Sequence, residues 1–232
     1  MKFFITGGAG FIGSTLTKFL LKKGHKVTIF DNFNNSSEAI SDLIEDGAKS
    51  IKGDVTNYDS LAKALSEFDV AVHLAAKINV QESIQNPAET RNVNVDGTVN
   101  LLRACVENKI KKIIAVSTAA VFGIPKELPL SENSPTSPVS PYAKSKLAME
   151  QYIREFYLLN IDSYIFEKKL INYDWILRSF ERIENDGDIS KMCLSFEKAK
   201  KIIGFEPKMK VKDGVADYLA WLKIQTVEKK HD

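Results

Sequence analysis

Short apolar runs alternate along this chain with longer segments in which apolar residues return every three or four positions. The short runs, Lys2–Thr6, Lys26–Phe30, Lys49–Lys52, Val70–Leu74, Ile113–Ser117 and Asp162–Phe166, read as strands. Between them the spacing predicts helices over Phe11–Lys23, Ser37–Asp46, Ser60–Glu67, Pro87–Asn108 and Tyr142–Leu159. Strictly alternating strands and helices predict an α/β fold, a doubly wound parallel sheet with helices on both faces. The connection from Gly123 to Pro141 is rich in proline and serine and reads as an irregular loop of the kind that borders sites. After Phe166 the alternation stops. Trp175, Ile176, Phe180 and Ile183 give Asn172–Glu184 a helical spacing, and Asp186-Gly187-Asp188 then breaks the chain. Helices over Ser195–Ile203 and Lys212–Ile224 follow, joined through Gly204 and Pro207. The expected organisation is a sheet domain over 1–166 and a small, mainly helical appendage over 167–232.

Chemistry enters directly after the first predicted strand. Gly7, Gly10 and Gly13 keep a G-x-x-G-x-x-G spacing between a strand and a helix. In that context the first glycine permits a tight turn and the second lets backbone approach a pyrophosphate. The third lets the helix lie close, with its N–H groups aimed at the phosphates. This is the dinucleotide loop of a Rossmann-type domain. Asp31, at the end of the second strand, stands where a carboxylate accepts from the adenosine ribose hydroxyls and repels a 2′-phosphate, so NAD is expected over NADP. Asp54, ending the third strand, can accept from the adenine amino group or cap a helix.

Tyr142 and Lys146 stand four apart on one predicted helix and therefore share a face. A lysine ammonium beside a phenol stabilises the phenolate, giving a base that can take a hydroxyl proton during hydride transfer. Thr118 ends the fifth strand, at the edge where open α/β sheets bind ligands, and its hydroxyl can orient the reacting oxygen; Ser117 is a weaker candidate for that role. His73 has no Asp and Ser partners in a triad arrangement and reads as structural.

Composition narrows the partners. The chain has 232 residues and a formal charge of +2, too small a field to gather nucleic acid or anionic lipid. Cys105 and Cys193 show no metal-ligand or CxxC spacing, no metal site is expected, and both thiols read as inert packing in a reducing cytosol. No window approaches a membrane span, so a cytoplasmic protein with a small-molecule partner is expected.

The segments TGGAGFIGS, DNFNNSS, GDV, HLAA, NVNVDGT, STAAVFG and PYAKSK fall in one order across residues 1 to 160. In that order they resemble the extended short-chain dehydrogenase/reductases, and most closely the UDP-glucose 4-epimerase branch of the NAD-dependent epimerase/dehydratase family. The resemblance implies that Gly7, Gly10, Phe11, Ile12, Gly13, Asp31, Asn32, Asn35, Ser36, Asp54, Val55, Leu74, Ala75, Ala76, Asn94, Tyr142 and Lys146 meet NAD. It implies further that Thr118, Tyr142 and Lys146 are catalytic, that the substrate is a nucleotide sugar, UDP-linked, and that the chain forms a homodimer. The family reaction oxidises the sugar C4 hydroxyl, turns the keto sugar and returns the hydride to its other face. Related 4,6-dehydratases carry an acidic pair after the Thr. Ala119 and Ala120 stand here, which points to epimerisation. Two departures stand out. Phe122 replaces the usual Tyr, and Glu167–Glu184 lacks the family's Asn-containing substrate loop, the likeness resuming only at Gly187-Asp188-Ile189. A shortened substrate region leaves a second reading, a non-catalytic NAD-binding protein acting as sensor or partner subunit, and a third, a reductase of a smaller substrate.

Overall fold

A computed structural model describes residues 1–34, 40–159 and 195–207 together with Asp213. The chain runs β1 (Lys2–Thr6), α1 (Phe11–Lys22), β2 (Lys26–Asp31), α2 (Ile40–Glu45), β3 (Lys49–Lys52), α3 (Tyr58–Ala64) and β4 (Val70–His73). It continues with α4 (Val80–Gln85), α5 (Pro87–Arg91), a π turn (Asn92–Asp96), α6 (Gly97–Glu107), β5 (Lys112–Ala115), a 3-10 turn (Ala119–Phe122), α7 (Pro141–Leu159) and α8 (Glu197–Ile203). The strands form one parallel sheet in the order β3-β2-β1-β4-β5. From β1 the chain winds outward through β2 and β3, then returns to the other side of β1 for β4 and β5. The reversal falls between β1 and β4, where an open α/β sheet leaves a crevice at its carboxyl edge.

Both faces of the sheet are covered, as the alternation of apolar residues and helices predicts. Successive residues of a strand point to opposite faces, and in β1 both Phe4 and Ile5 are fully buried. Phe4 packs with Phe30, Leu61, Leu65, Leu101 and Ile110 on one face; Ile5 packs with Leu20, Val27, Val70 and Val72 on the other. Each such side chain contributes about 1.5–3 kcal/mol by leaving water, so the central strand is anchored twice. Cys105 belongs to the first cluster, and burial pushes its thiol well above the usual range, in keeping with an inert packing role. Cys193 lies outside the described residues, as do the predicted strand Asp162–Phe166 and the predicted helices Asn172–Glu184 and Lys212–Ile224.

The structure corrects four element assignments. The single helix expected over Pro87–Asn108 is divided by the π turn at Asn92–Asp96. Helix α4, unexpected from the sequence pattern, is capped by the Asn79 side chain, which accepts from Glu82 N at 3.0 Å. Asn57 likewise caps α3 by accepting from Ser60 N, so that helix begins at Tyr58 rather than Ser60. The fifth strand stops at Ala115 instead of Ser117, because its partner β4 ends at His73, the residue paired with Ala115. Helix α8 closes on Gly204, as anticipated, and the described tail meets the proline-rich loop where Ser195 N donates to Leu130 O at 2.7 Å.

Candidate functional site

The turn after β1 is shaped by close approaches that exclude side chains. Gly7 has φ +69, and a Cβ there would lie 2.5 Å from the Ala75 backbone nitrogen, so the loop leaving β1 presses directly against the segment leaving β4. A Cβ on Gly13 would lie 2.3 Å from Gly7 O, which brings the first turn of α1 onto the loop. Gly7 N donates to Phe30 O at 2.9 Å, and Gly10 N turns back to Gly7 O at 3.2 Å. Gly10 is the N-cap of α1 and supplies no side-chain acceptor, and the first turn holds no acidic residue. The positive end of this twelve-residue helix is therefore uncompensated by its own side chains. Phe11 and Ile12, 57% and 49% exposed, stand at its mouth.

Beside the loop lies a pair of carboxylates. Asp31 accepts from Ala9 N at 3.0 Å and from Phe33 N at 2.9 Å, one bond to each oxygen, so it ties β2 to the glycine loop and keeps lone pairs for a further donor. Asp54 accepts from Thr56 N at 2.9 Å, from Thr56 Oγ1 at 2.7 Å and from Asn32 Nδ2 at 3.2 Å. Burial alone would raise the Asp54 carboxyl, but the Thr56 and Asn32 bonds hold it below the usual carboxylate range. Val55, next to it, is buried in the core, while Asn35 and Ser36 lie outside the described residues.

Leu74, Ala75 and Ala76 leave β4 beside the glycine loop, in contact with it at Gly7. Leu74 N donates to Thr6 O at 2.9 Å and Ala75 N to Thr6 Oγ1 at 3.4 Å. Asn94, expected on the cofactor, is 1% exposed and braces this wall. Its Oδ1 accepts from Lys77 N at 2.7 Å, and its Nδ2 donates to Lys77 O and to Ser145 Oγ, each at 2.9 Å. The Lys77 ammonium is held by Glu82 and Glu89, whose bonds raise its proton affinity. His73 is buried between Thr6 Oγ1 at 2.7 Å and Thr98 Oγ1 at 2.9 Å. Burial first, and the charge of Lys146 second, push its pKa down to about 3, so the ring is neutral at pH 7 and its role is structural.

Helix α7 carries Tyr142 and Lys146. Two hydroxyls secure its start: Ser83 Oγ accepts from Tyr142 N and Ser140 Oγ accepts from Ala143 N, both at 3.1 Å. Ser145 donates to Tyr142 O at 2.7 Å while receiving Asn94 Nδ2, so the helix is also fastened to the wall below β4. Tyr142 is half-buried and Lys146 is 5% exposed, its Nζ 3.3 Å from Met149 Sδ. Thr118 follows β5 and caps the 3-10 turn, its Oγ1 accepting from Ala120 N at 3.2 Å. With that lone pair occupied, its proton remains available to an oxygen in the cleft. Ser117 is turned elsewhere, donating to the Glu150 carboxylate. Nothing local in the sequence singles out Ser83 or Ser145. Glu150 leaves a trace there, four residues beyond Lys146 as Lys146 is four beyond Tyr142.

These residues fit a dinucleotide. The glycine cradle, the uncapped helix start and the carboxylate at the end of β2 sit where pyrophosphate and ribose are bound in such folds. Among the described residues no group of three or more His, Cys, Asp or Glu suits a metal ion, and no helix is long and apolar enough to cross a membrane.

Residues 4–172 match the family described as GDP-mannose 4,6 dehydratase. The chain is 40% identical over 162 residues to UDP-glucose 4-epimerase 2 of Oryza sativa subsp. japonica, covering 66% of this chain and 40% of that protein. It is 38% identical over 154 residues to UDP-glucose 4-epimerase of Halalkalibacterium halodurans, covering 65% and 45%. It thus spans less than half the length of these curated relatives. Among solved structures, UDP-glucose 4-epimerase from Bifidobacterium longum in complex with NAD+ and UDP superposes with a TM-score of 0.67 at 35% identity, covering 72% of this chain and 51% of that one. With a match that runs from within β1 through β5 and a Rossmann-type order of strands, the chain belongs to the NAD-dependent epimerase/dehydratase family.

Proposed function

We propose that the protein binds NAD in the crevice between β1 and β4 and acts as a nucleotide-sugar epimerase of the UDP-glucose 4-epimerase type. The observation that carries this reading is the Tyr142–Lys146 pair on a doubly fastened helix, with Lys146 buried and Thr118 at the adjacent strand end. Relatives with UDP-glucose 4-epimerase activity in their names support it. So do Ala119 and Ala120, which offer no carboxylate to drive elimination.

In this reading Gly7, Gly10, Phe11, Ile12 and Gly13 cradle the pyrophosphate, and Asp31, Asn32, Asn35, Ser36, Asp54 and Val55 hold the adenosine half. Leu74, Ala75 and Ala76 line the β4 wall, which Asn94 braces. Bound NAD supplies the acceptor and donor of hydride. Tyr142, as phenolate, takes the proton of the sugar C4 hydroxyl and later returns it to the reduced C4 oxygen. The Lys146 charge favours that phenolate and donates toward the ribose, and Thr118 donates to the reacting oxygen. A cytoplasmic homodimer is part of the same proposal.

The second reading, an NAD-binding protein without turnover, is favoured by the absence from Glu167–Glu184 of the substrate loop that the resemblance calls for. A nucleotide sugar binds well only when placed donors hold its diphosphate and base. Conversion of UDP-galactose to UDP-glucose by the purified protein with NAD is the deciding assay. Turnover establishes the epimerase. Absence of turnover, with NAD but not millimolar UDP-sugars raising Tm, establishes the second reading.

A further inference from the structure

On α7 a third polar residue continues the line of Tyr142 and Lys146. Residues four apart on a helix lie one above another, so Glu150 falls on the face that carries both, one turn deeper. Its carboxylate is half-buried and accepts from the hydroxyl of Ser117, which is 9% exposed and immediately precedes Thr118. One side-chain bond thus joins the helix bearing Tyr142 and Lys146 to the strand end bearing Thr118, across 33 positions of sequence.

We infer that Glu150 is a positioning residue for the Tyr142 phenol: through Ser117 it fixes Thr118 against α7, and its carboxylate balances the buried Lys146 ammonium. The inference deepens the epimerase reading, and only its kinetic arm depends on turnover.

Among the described residues the charges on the elements around α7 can be placed one by one. Helix α7 packs against α4, α5, the π turn, α6 and the 3-10 turn. Charges on those elements act elsewhere: Glu82 and Glu89 on Lys77, Arg91 and Asp96 on each other, Arg103 and Glu107 on Tyr58. His73, which faces Lys146 from β4, is neutral. Lys146 is the charge that acts on Glu150. Burial raises the Glu150 carboxyl, while the Ser117 bond and Lys146 pull it back. At the alkaline pH where a phenol titrates, Glu150 is an anion, and its field opposes a phenolate on the same face. A carboxylate and a phenolate on one helix face repel each other, so removing the Glu150 charge favours the phenolate.

The test is a tyrosinate absorbance titration of the NAD-bound protein, with Tyr142→Phe subtracted to isolate one phenol. Glu150→Gln keeps an acceptor for Ser117 and removes the charge. It is expected to lower the Tyr142 midpoint by roughly half a pH unit or more. Ser117→Ala removes the bond but not the charge and is expected to shift the midpoint by less. An unchanged midpoint in Glu150→Gln overturns the inference, and so does an equal fall in Ser117→Ala, which would mark a general disturbance. A measurement on unmodified protein covers the case in which Glu150→Gln does not fold. The Glu150 carboxyl 13C resonance should inflect at the Tyr142 midpoint and lose that inflection in Tyr142→Phe; a flat trace in the unmodified protein overturns the inference. If the enzyme turns over, the acid limb of its kcat profile moves to lower pH in Glu150→Gln with KM unchanged. Loss of turnover in the unmodified protein defeats the epimerase reading and leaves the phenol titration to decide on Glu150.

Discussion

Gly13→Ala sets two ordinary effects against each other, and the structure decides between them. Alanine in a helix interior is favoured over glycine by about 1 kcal/mol, and Gly13 lies in the first turn of α1. Its added methyl would sit 2.3 Å from Gly7 O, 2.6 Å from Gly8 Cα and 2.8 Å from Gly8 C. All three are backbone atoms of the turn, so no side chain can rotate aside, and Gly7 is pressed in turn on Ala75. Forcing a methyl into such a contact costs roughly 1–3 kcal/mol. The upper part of that range applies, leaving a net loss of roughly 1–2 kcal/mol, or about 2–8 °C in Tm for a chain of this size. Thermal melts with and without NAD measure it. The apo protein should lose stability and the increment from NAD should shrink, because α1 must withdraw its N-terminus from the loop. Thr15→Ala is the control: its hydroxyl is exposed and bonds only to Phe11 O within the helix, so its effect stays within about 0.5 kcal/mol. A Gly13→Ala midpoint equal to or above that of the unmodified protein would refute the claim that loop and helix touch this closely.

Asp31→Ala is expected to narrow the preference for NAD over NADP and, by removing the acceptor that ties the Ala9 and Phe33 N–H groups to β2, to cost about 1–3 kcal/mol of loop stability. Calorimetric titration with both cofactors tests this, and equal affinities in the unmodified protein would remove the argument from Asp31. Tyr142→Phe should abolish turnover through kcat with NAD affinity nearly unchanged; retained activity would place the proton carrier elsewhere. His73 predicts a pH dependence of stability. Its folded value of about 3 lies below the ordinary 6.5, so between those values the unfolded chain binds more protons and stability falls as pH falls, by up to about 1.4 kcal/mol per pH unit. Urea midpoints at pH 7 and 5 should differ accordingly, and in His73→Gln that part of the slope should vanish.

The parts of this protein legible in its sequence are those whose cause is local. Gly7, Gly10 and Gly13 announce their turn because strand, glycine spacing and helix are contiguous, and the Tyr142–Lys146 stripe follows from helical period alone. The span Pro87–Asn108 reads as one helix because its apolar period continues through the π turn. Helix α4 went unseen although Asn79 and Glu82, like Asn86 and Glu89, keep the spacing of a cap and a first-turn acid. Where β5 stops depends on the length of β4, a fact about its neighbour. Ser83, Ser145 and Glu150 act on partners 59, 51 and 33 positions away, and no window on the chain contains both ends of such a bond.

The buried contacts around His73 form a relay with only one possible sense. At one end stands the Ala75 N–H, which can only give; at the other, beyond Thr98, whose hydroxyl donates to it at 2.7 Å, stands the Asn94 carbonyl, which can only receive. Thr98 spends its one hydrogen on Asn94 O and so accepts from His73 Nε2–H; the neutral ring is then bare at Nδ1 and accepts from the Thr6 hydroxyl, and the donors run from β1 through β4 and α6 to the π turn. A proton arriving on Nδ1 would turn that nitrogen from acceptor to donor and break the bond that Thr6 gives it. The imidazole thus serves the crevice wall as a fixed strut, with one nitrogen committed to β1 and the other to α6.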